Sequence, residues 1–361
     1  MGPITYDVSP NKDKTQMGGI REIVESTWDK YTLSKFGSFS QAYDFVQRAY
    51  DMGMTWPVLL EKMEEPGTKQ KLAADFDLER NDFKYSKLIG HDVVNHIVDD
   101  MIVDGGHPFC FLDCIVRGSE KSPDASSLAL ARGFADACIE NGVALLGGET
   151  SIQNIVDPDT YILSGALSGA IDRNVMDKDS LMMPGDVLLA IGSNGPHTNG
   201  YTLIRKLMDM YPGLLDKEIN GTSFRDHIMM PHTTYYPALK DLIGTELITG
   251  QTHITGGGLK GNFPRVLGEG LAADIDLSSM MILPLFQEIQ KLSNNNQEHM
   301  LKTFNCGVGY VVSSPKEHVK QVAEHISQFH TCYPIGEITE RESGGAAVNF
   351  HGSTGWPERT Q

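Results

Sequence analysis

The chain has few cysteines, no long apolar run and a shortage of basic residues. Its five cysteines are an odd number and form no CxxC pair. That pattern argues against a disulfide scaffold or a zinc site and favours a reducing, cytoplasmic compartment. No apolar run approaches the length of a membrane span, and the N-terminus lacks the basic and apolar regions of a secretory signal. We therefore expect no membrane as a partner.

The charge balance limits the ligands that the chain can hold. Lysine and arginine total 30 against 47 aspartates and glutamates, which gives a formal net charge of −17. This disfavours nucleic acid as a main partner. A site for an anionic nucleotide would need local positive potential from backbone amides, a few basic side chains and divalent cations. Charge balance therefore predicts Mg²⁺ at any nucleotide site.

Glycine is abundant, and part of it falls in four loops that also carry polar side chains. There are 37 glycines in all. Backbone N–H groups can approach a ligand closely at glycine, and a run of such groups suits phosphate oxygens. Four loops of this kind indicate a site for phosphorylated ligands. They read Gly-Gly-Glu-Thr (147–150), Gly-Pro-His-Thr-Asn-Gly-Tyr (195–201), Thr-Gly-Gly-Gly (255–258) and Thr-Phe-Asn-Cys-Gly-Val-Gly (303–309).

A length of 361 residues allows two domains with separate cores. The apolar pattern predicts strands at 58–60, 109–112, 143–146, 161–170 and 187–191, and helices at 91–103, 124–141, 284–292 and 315–329. A further helix is expected to begin near Asn199. This mixture is α/β (α+β). We divide the chain into an N-terminal arm with helices (1–48), a first domain (49–171), a second domain (172–345) and a tail (346–361).

From about Pro57 to Ile338 the motifs and their order resemble the aminoimidazole ribonucleotide synthetase family, the phosphoribosylformylglycinamidine cyclo-ligases. The elements that carry the resemblance are Pro-Val-Leu (57–59), Leu-Gly-Gly-Glu-Thr (146–150), the 195–201 loop, His-Ile-Thr-Gly-Gly-Gly (253–258), Asn-Phe-Pro-Arg-Val-Leu (262–267) and the 303–309 loop. The resemblance implies a two-domain fold. Strands of the N-terminal domain join those of a partner in a dimeric β-barrel, the C-terminal domain is α/β, and ATP binds in a cleft with contributions from both.

The resemblance also implies an activity, namely ATP-dependent ring closure of formylglycinamidine ribonucleotide to aminoimidazole ribonucleotide. One loop departs from the family pattern. Where relatives have Ser-Gly-Thr-Asp-Gly-Val-Gly-Thr-Lys, residues 61–69 read Glu-Lys-Met-Glu-Glu-Pro-Gly-Thr-Lys, and a Pro-Thr-Arg element reads Pro-His-Thr (231–233). Two alternatives therefore stay open: a divergent relative that activates a different amide or carboxylate, and a catalytically silent nucleotide-binding homologue.

Three carboxylates are candidate magnesium ligands. Asp99 and Asp100 stand where the family has Asn-Asp, and Glu64 stands where it has a metal-associated aspartate. Hard oxygen ligands suit Mg²⁺. Because neighbouring side chains on a helix diverge by about 100°, we expect only one of the two aspartates to face the site. The alternative for all three is a solvated acidic surface.

The resemblance assigns catalytic roles to three residues. His197 lies between a strand and a helix, where a cationic imidazole would stabilise the transferring phosphoryl group. Lys69 would contact phosphates as a point charge, the alternative being a solvated lysine. Asn199 is either an N-cap, a ligand contact or both.

Further residues are candidates for binding ATP or substrate. The glycine loops are expected to bring backbone N–H groups to phosphate, although tight turns explain them nearly as well. Glu149 could equally pair with a buried arginine, and Arg265 is expected to pair with an acid in the core. Asn305 offers both a donor and an acceptor to an amide-bearing substrate. The predicted binding residues are Gly67, Thr68, Gly148, Glu149, Thr150, Gly256, Gly257 and Asn305.

Overall fold

The computed structural model describes residues 19–118, 124–176 and 181–356. The first domain is an open four-stranded sheet in the order β1-β4-β2-β3, in which only the β2–β3 pair is parallel. Its strands are β1 (Pro57–Glu64), β2 (His107–Arg117), β3 (Ala144–Ile152) and β4 (Tyr161–Asp172). Its helices are α1 (19–25), α2 (Phe45–Asp51), α3 (Lys69–Arg80), α4 (Lys84–Val103), α5 (Asp124–Asn141) and α6 (Arg173–Met176).

One face of this sheet is covered, and the other is open except at one end, where α2 packs near Ala170. Helices α3, α4 and α5 pack on the covered face. On the open face Leu59, Met63, Leu112 and Ile162 are between 41% and 64% exposed. Strand alternation explains the division, because successive side chains point to opposite faces. Within the described residues the sheet does not close on itself, so the β-barrel expected from the family would need strands from a second chain.

The second domain is a six-stranded sheet in the order β12-β9-β11-β5-β10-β8, flanked by a two-stranded hairpin. Strand β10 is buried along its whole length, which marks it as the centre of the core. The strands are β5 (Val187–Gly192), β6 (Glu218–Ile219), β7 (Thr222–Ser223), β8 (Gly250–His253), β9 (Leu271–Asp276), β10 (Val308–Ser314), β11 (Cys332–Glu340) and β12 (Val348–His351). The α-helices are α7 (Tyr201–Met210), α8 (Phe224–Ile228), α9 (Tyr236–Leu239), α10 (Gly258–Asn262), α11 (Pro284–Ser293), α12 (Gln297–Thr303) and α13 (Val319–Ile326). Short 3₁₀ turns cover Leu214–Asp216, Phe263–Arg265 and Leu277–Ser279.

Helix α4 is the element that joins the two domains. It packs against α5 of its own domain and also contacts β8 and α9 of the second domain. The α4–α5 contact depends on two glycines: a Cβ on Gly133 would lie 2.0 Å from the carbonyl oxygen of Lys87, and one on Gly90 would lie 2.8 Å from that of Leu130. This close approach fixes the N-terminal half of α4 against α5. The C-terminal half, which carries the candidate metal ligands, is joined to β8 by hydrogen bonds that Gln251 donates to the carbonyl oxygen of Ile102 and His253 donates to Asp100.

The structure confirms the predicted strands and most of the predicted helices. Three helices differ from expectation, the first being α4, which begins at Lys84, seven residues before the predicted start at 91. Helix α7 begins at Tyr201, and its N-cap is Gly200 at φ 82°, with no side-chain cap bond; Asn199 is therefore not the N-cap. Helix α13 is shorter than the predicted 315–329, because residues 316–318 form a turn before it. The domain boundaries stay a prediction, although β12 places part of the expected tail in the second sheet.

Two composition-based expectations concern covalent links and membranes. All five cysteines lie in the described part of the chain and are free thiols. Among the helices of residues 19–118, 124–176 and 181–356, none combines the length and apolar character needed to cross a lipid bilayer.

Candidate active site

Four histidines meet where α4 contacts the second domain. His96 lies on α4, His197 in the loop after β5, His232 shortly before α9, and His253 at the end of β8. The ring centroids of His197 and His232 are 4.0 Å apart, those of His232 and His253 are 5.0 Å apart, and those of His96 and His232 are 5.2 Å apart. We refer to these four residues as the histidine cluster.

The His197 ring occupies a strained and enclosed position. Its backbone has φ 57°, a region that non-glycine residues rarely adopt, and the residue is only 1% exposed. Neither ring nitrogen has a hydrogen-bond partner among the described residues. Gly309 of the 303–309 loop makes room for it, because a Cβ there would lie 2.7 Å from Cε1 of His197. Gly309 therefore accommodates the His197 side chain, in addition to any contact that its loop makes with a ligand.

Burial keeps three imidazoles of the cluster neutral, those of His96, His197 and His232. It lowers the pKa of His197 and of His232 well below the usual range, and the neighbouring imidazoles lower both further. The pKa of His96 falls to about 4, again chiefly through burial. These imidazoles are therefore uncharged at neutral pH. His197 is therefore neutral in this structure, whereas the sequence predicted a cationic imidazole.

The side chains of Asp99 and Asp100, which are adjacent on α4, point into different surroundings, as the helical geometry predicts. Oδ1 of Asp100 accepts a hydrogen bond from Nδ1 of His253 at 2.8 Å, and Oδ2 lies 2.8 Å from Nζ of Lys62. Asp99 is fully buried, and its Oδ1 accepts the backbone N–H of Tyr235 at 2.8 Å. Burial raises the pKa of Asp99 well above its usual value. Of the two, only Asp100 reaches the cleft.

Lys62 lies between two of the predicted metal ligands. Its Nζ is 3.0 Å from Oε1 of Glu64 and 2.8 Å from Oδ2 of Asp100. Lys62 and Glu64 share a face of β1 because they are two residues apart. Burial lowers the pKa of Lys62, but the two carboxylates outweigh burial and raise it overall. Sequence reasoning missed Lys62, although strand alternation placed it beside Glu64.

Lys69 faces inward. It is 0% exposed, its Nζ lies 2.8 Å from Oδ2 of Asp92, and it donates to the carbonyl oxygen of Met230 at 2.6 Å. Gly67, at φ 59°, and Thr68 precede it at the start of α3, where Thr68 makes no side-chain cap bond. The phosphate-contact role of Lys69 remains a prediction that would require this ion pair to open.

Asn305 connects two of the glycine-rich loops. Its Oδ1 accepts from Oγ of Ser193 at 3.1 Å and from the backbone N–H of Gly307 at 3.0 Å, and its Nδ2 donates to the carbonyl oxygen of Gly195 at 2.9 Å. The amide is therefore engaged within the chain. Its predicted contact with substrate remains a prediction.

The 255–258 loop lies next to the 195–201 loop. A Cβ on Gly256 would be 3.2 Å from Oδ1 of Asn199. Gly257, at φ 96°, is the N-cap of α10, and Nδ2 of Asn262 donates to the carbonyl oxygen of Gly258 at 2.8 Å. The structure thus brings Asn199, Gly256 and Gly257 together.

The remaining predicted residues lie elsewhere. Gly148, Glu149 and Thr150 are exposed on β3, the edge strand on the far side of the sheet from β1. Two strands intervene, so β1 and β3 are about 14 Å apart at the usual strand spacing. A single chain does not bring these three residues to Lys62 or the histidine cluster.

A cavity of about 170 Å³ opens between the domains beside Asp100 and His253. Lys62 and Arg265 line it together with the carboxylates of Glu61, Asp100 and Asp104. Arg265, which is exposed, therefore faces this cavity instead of pairing in the core. His96 and His232 were also not among the predicted residues. The one sequence signal for His232 was its place in the altered 231–233 element, and His96 had only its i, i+4 spacing to Asp100.

Comparisons with known proteins agree with this architecture. The family model "AIR synthase related protein, N-terminal domain" matches residues 62–171, and "AIR synthase related protein, C-terminal domain" matches residues 183–349. The chain belongs to the AIR synthase related family. The two matched segments correspond to the two sheets, so the family assignment and the topology support each other.

Relatives within the family are similar over most of their length. The phosphoribosylformylglycinamidine cyclo-ligase of Chromobacterium violaceum is 37% identical over 90% of this chain and 91% of its own. That of Aromatoleum aromaticum is 34% identical over 91% of both chains. Among solved structures, Escherichia coli HypE, a hydrogenase maturation protein, superposes with a TM-score of 0.65 at 17% identity, covering 97% of this chain and 96% of that one. At that identity the likeness shows the fold alone.

Proposed function

We propose that this protein is an ATP-dependent cyclo-ligase that closes the imidazole ring of aminoimidazole ribonucleotide from formylglycinamidine ribonucleotide. The observation that carries the proposal is the likeness to cyclo-ligases along nine-tenths of both chains. In the reaction the γ-phosphoryl group of ATP passes to the amide oxygen and ADP leaves. A nitrogen of the amidine then attacks the activated carbon, the C–O bond breaks, and phosphate departs.

The cleft suits such a reaction because it needs no protein nucleophile. The protein must neutralise phosphate charge and orient the reacting groups. Lys62 and Arg265 supply positive charge at the cavity between the domains, but Glu61, Asp100 and Asp104 line it as well, so a divalent cation would have to neutralise the remaining charge. His197 lies next to His253, which lines that cavity, with ring centroids 6.5 Å apart. Its imidazole is neutral, so we assign it a hydrogen bond to the phosphoryl group or the amide and not a charge contact. Asn199 lies beside Gly256, and we assign it the orientation of the nucleotide phosphates.

Of the three predicted ligands, we retain only Asp100 and Glu64 for Mg²⁺. Their carboxylates approach one point from two sides, and that point is held by the Lys62 ammonium. Such an oxygen pair fits Mg²⁺, which would lend charge neutralisation to the triphosphate. Asp99 does not fit, because its carboxylate is turned away toward Tyr235. Binding of the ion requires Lys62 to swing aside, onto a phosphate.

A specific observation also favours a second candidate. The Lys62 ammonium lies at the expected metal position, and Lys69 forms an ion pair with Asp92. A chain that has replaced its ion with its own ammonium could bind nucleotide differently, or activate a different amide or carboxylate. The silent homologue and the divergent relative are therefore the rivals of the cyclo-ligase.

One experiment distinguishes the cyclo-ligase, the divergent relative and the silent homologue. Purified protein is given ATP, Mg²⁺ and formylglycinamidine ribonucleotide, and ADP and the aromatic amine of the imidazole product are both measured. Equal amounts of ADP and imidazole support the cyclo-ligase. ADP release only with another amide or carboxylate supports the divergent relative. Calorimetric ATP binding without turnover of any tested acceptor supports the silent homologue.

A homodimer in the cytoplasm completes the proposal. The open face of the first sheet carries a patch of exposed apolar side chains, namely Leu59, Met63, Leu112 and Ile162. Contiguous apolar patches of this kind mark interaction surfaces. A second copy of the chain would cover this face and bring its own β3, with Glu149, across to the first copy.

A further inference from the structure

A second cavity, of about 400 Å³, opens on the second domain between α10 (Gly258–Asn262) and α12 (Gln297–Thr303). We call it the α10–α12 cavity. It shares no lining residue with the cavity beside Asp100. Small-molecule sites occupy about 300–1,000 Å³, whereas a water takes about 30 Å³ in the liquid. The α10–α12 cavity is therefore large enough for an organic ligand.

The interior of this cavity is apolar and is formed by the packing of the two helices. The side chains of Leu277, Leu301 and Phe350 line it. Helix α10 lies directly on α12, because a Cβ on Gly258 would be 1.8 Å from the carbonyl oxygen of Leu301. Apolar walls that face water lack the dispersion contacts and the release of hydration that a ligand would supply. The interior therefore suits an apolar or aromatic body.

The charged residues of the cavity favour an anion. Two lysines and one glutamate line it, which gives a net charge of +1, although the whole chain carries −17. Nζ of Lys260 lies 3.5 Å from Oε1 of Glu298, and both side chains are mostly exposed. Lys302, in the last turn of α12, forms no ion pair with any described residue. Lys302 is therefore available to an anionic group of a ligand.

Helix α10 separates this cavity from the one between the domains. Gly257, Lys260 and Gly261 line the α10–α12 cavity. Asn262 and Arg265, on another side of the same segment, line the cavity between the domains. A ligand in the α10–α12 cavity would therefore not overlap with a nucleotide bound between the domains.

We propose that the α10–α12 cavity binds a small organic anion. Its apolar or aromatic body packs on Leu277, Leu301 and Phe350, and its single carboxylate, sulfonate or phosphate group contacts Lys260 and Lys302. A free inorganic anion does not fit, because it would lose hydration against apolar walls. The proposal does not rest on the ring closure proposed above, since that reaction is placed on the other side of α10.

A matched pair of fluorescent probes tests the site on the full chain. Anilinonaphthalene sulfonate joins an aromatic body to one anionic group, and N-phenylnaphthylamine has the same body without the charge. We expect the sulfonate to bind one saturable site per chain, and ATP with Mg²⁺ to leave that binding unchanged. Absence of a stoichiometric site overturns the proposal. Displacement of the sulfonate by ATP would mean that it binds between the domains and also overturns the proposal.

Lysine variants locate the anionic end of the ligand. An exposed ion pair changes an equilibrium by a factor of up to about five, so Lys260→Met and Lys302→Met should each weaken sulfonate binding about two- to fivefold. Neither should change binding of the neutral amine. The control is Lys320→Met, which removes an exposed lysine paired with Glu324 at 3.8 Å on α13. Equal sulfonate affinities in Lys302→Met and Lys320→Met overturn the proposal.

Gly261→Leu fills the cavity. A Cβ on Gly261 would have its nearest neighbour, the carbonyl oxygen of Gly256, 3.8 Å away, so the added side chain meets no close backbone. We expect both probes to lose detectable binding while the melting temperature is kept. Glu324→Leu adds the same side chain on α13 and should bind both probes normally. Undiminished binding by Gly261→Leu overturns the proposal, and the lysine variants decide the question if Gly261→Leu does not fold.

A crystal structure of the full chain with the sulfonate probe shows the occupant directly. One wall of the cavity lies near the C-terminus, because Oε1 of Gln297 accepts a hydrogen bond from Oγ1 of Thr354 at 2.6 Å. Density for the probe beside Phe350, with its sulfonate at Lys260 or Lys302, supports the proposal. Residues 357–361 of the chain in that place would make the cavity an internal contact and overturn it.

Discussion

Nδ1 of His253 lies 2.8 Å from Oδ1 of Asp100, and this hydrogen bond ties the end of β8 to helix α4. The second oxygen of the same carboxylate holds the Lys62 ammonium. Burial alone would raise the pKa of Asp100, but the hydrogen bond from His253 and the Lys62 ammonium outweigh burial and hold the pKa below its usual range. The carboxylate at the domain junction is therefore ionised and already paired with a cation.

The Lys62 ammonium competes with a divalent ion for Glu64 and Asp100. Lys62→Met is expected to tighten Mg²⁺ binding about tenfold or more. Charges about 4 Å apart near a protein surface interact by about 4 kcal/mol, which exceeds the roughly 1.4 kcal/mol that a tenfold change requires. Mg²⁺ titration calorimetry and the Mg²⁺ dependence of ATP turnover measure the effect.

Two further variants, a control and the loss of a ligand, test this magnesium prediction. Lys71→Met removes another lysine, whose exposed partner is Asp75 at 3.2 Å, and should leave Mg²⁺ binding unchanged. Asp100→Asn should weaken the metal dependence, because it removes one of the two carboxylates. If Lys62→Met binds Mg²⁺ no better than the wild-type protein, the ion does not use the Glu64–Asp100 position.

The buried pair of Lys69 and Asp92 makes a prediction about stability. Both side chains are fully buried, with Nζ and Oδ2 2.8 Å apart. Lys69→Met leaves a buried carboxylate without its cation, and breaking a buried pair in this way costs about 3–5 kcal/mol. The double variant Lys69→Met, Asp92→Asn is expected to recover most of that loss. Urea unfolding of the three proteins measures the free energy of unfolding.

The catalytic role expected of Lys69 gives a separate result in the same proteins. If the double variant is as stable as the wild-type protein and keeps the wild-type KM for ATP, Lys69 is a core residue only. A raised KM at restored stability would mean that the ion pair opens and that the ammonium reaches phosphate. A single variant that loses less than about 1 kcal/mol would contradict the burial argument itself.

Local patterns predicted the elements of this fold well, whereas long-range pairing decided the site. Alternation and helical spacing are local signals, so strands such as 187–191 and the helix at 91–103 could be predicted. The motif around Lys69 suggested a phosphate contact, but the approach of Asp92 and of the 230–232 segment turns the ammonium inward. No local pattern reports such an approach.

The histidine cluster shows the same limit more strongly. Its members come from α4, the loop after β5, the segment before α9, and β8. Two of them, His197 and His253, lie in glycine-rich motifs and could be noticed. His96 lies in no recognisable motif and His232 only in the altered 231–233 element. Only the packing of α4 against the second domain brings their rings to 5.2 Å.

The open face of the first sheet predicts a dimer. Leu112→Glu places a charge in the centre of the apolar patch, where it would be buried by a second chain without a partner. We expect the wild-type protein to sediment as a dimer and Leu112→Glu as a monomer at micromolar concentration. Met210→Glu, at a 66% exposed position on α7, is the control and should stay dimeric. A monomeric wild-type protein would contradict the dimer, and a different partner would then have to cover this face.

Gly309 is predicted to be essential for the position of His197. A Cβ at Gly309 would lie 1.9 Å from Oη of Tyr235 and 2.7 Å from Cε1 of His197, so one of the two rings must move. Gly309→Ala is expected to lower kcat by at least about tenfold, because small misplacements of catalytic groups are costly. The control is Gly261→Ala, where the nearest atom is 3.8 Å away. Similar kcat values for both variants would show that the His197 ring tolerates displacement.

His197→Ala tests whether this imidazole acts on the transition state. The residue is 1% exposed, neutral and free of hydrogen bonds to the described part of the chain. A reacting group that displaces the enclosing side chains would therefore meet nitrogens with no competing partner. We expect kcat to fall by about 100-fold or more, the loss typical of a positioned proton donor or hydrogen-bond donor. The Kd for ATP should change by less than about threefold, since an interaction made only in the transition state leaves ground-state binding intact. Single-turnover rates and calorimetric ATP binding measure the two quantities, with His330→Gln as the control. A comparable loss in both would make His197 a nucleotide-binding residue, and an unchanged rate would remove it from the chemistry.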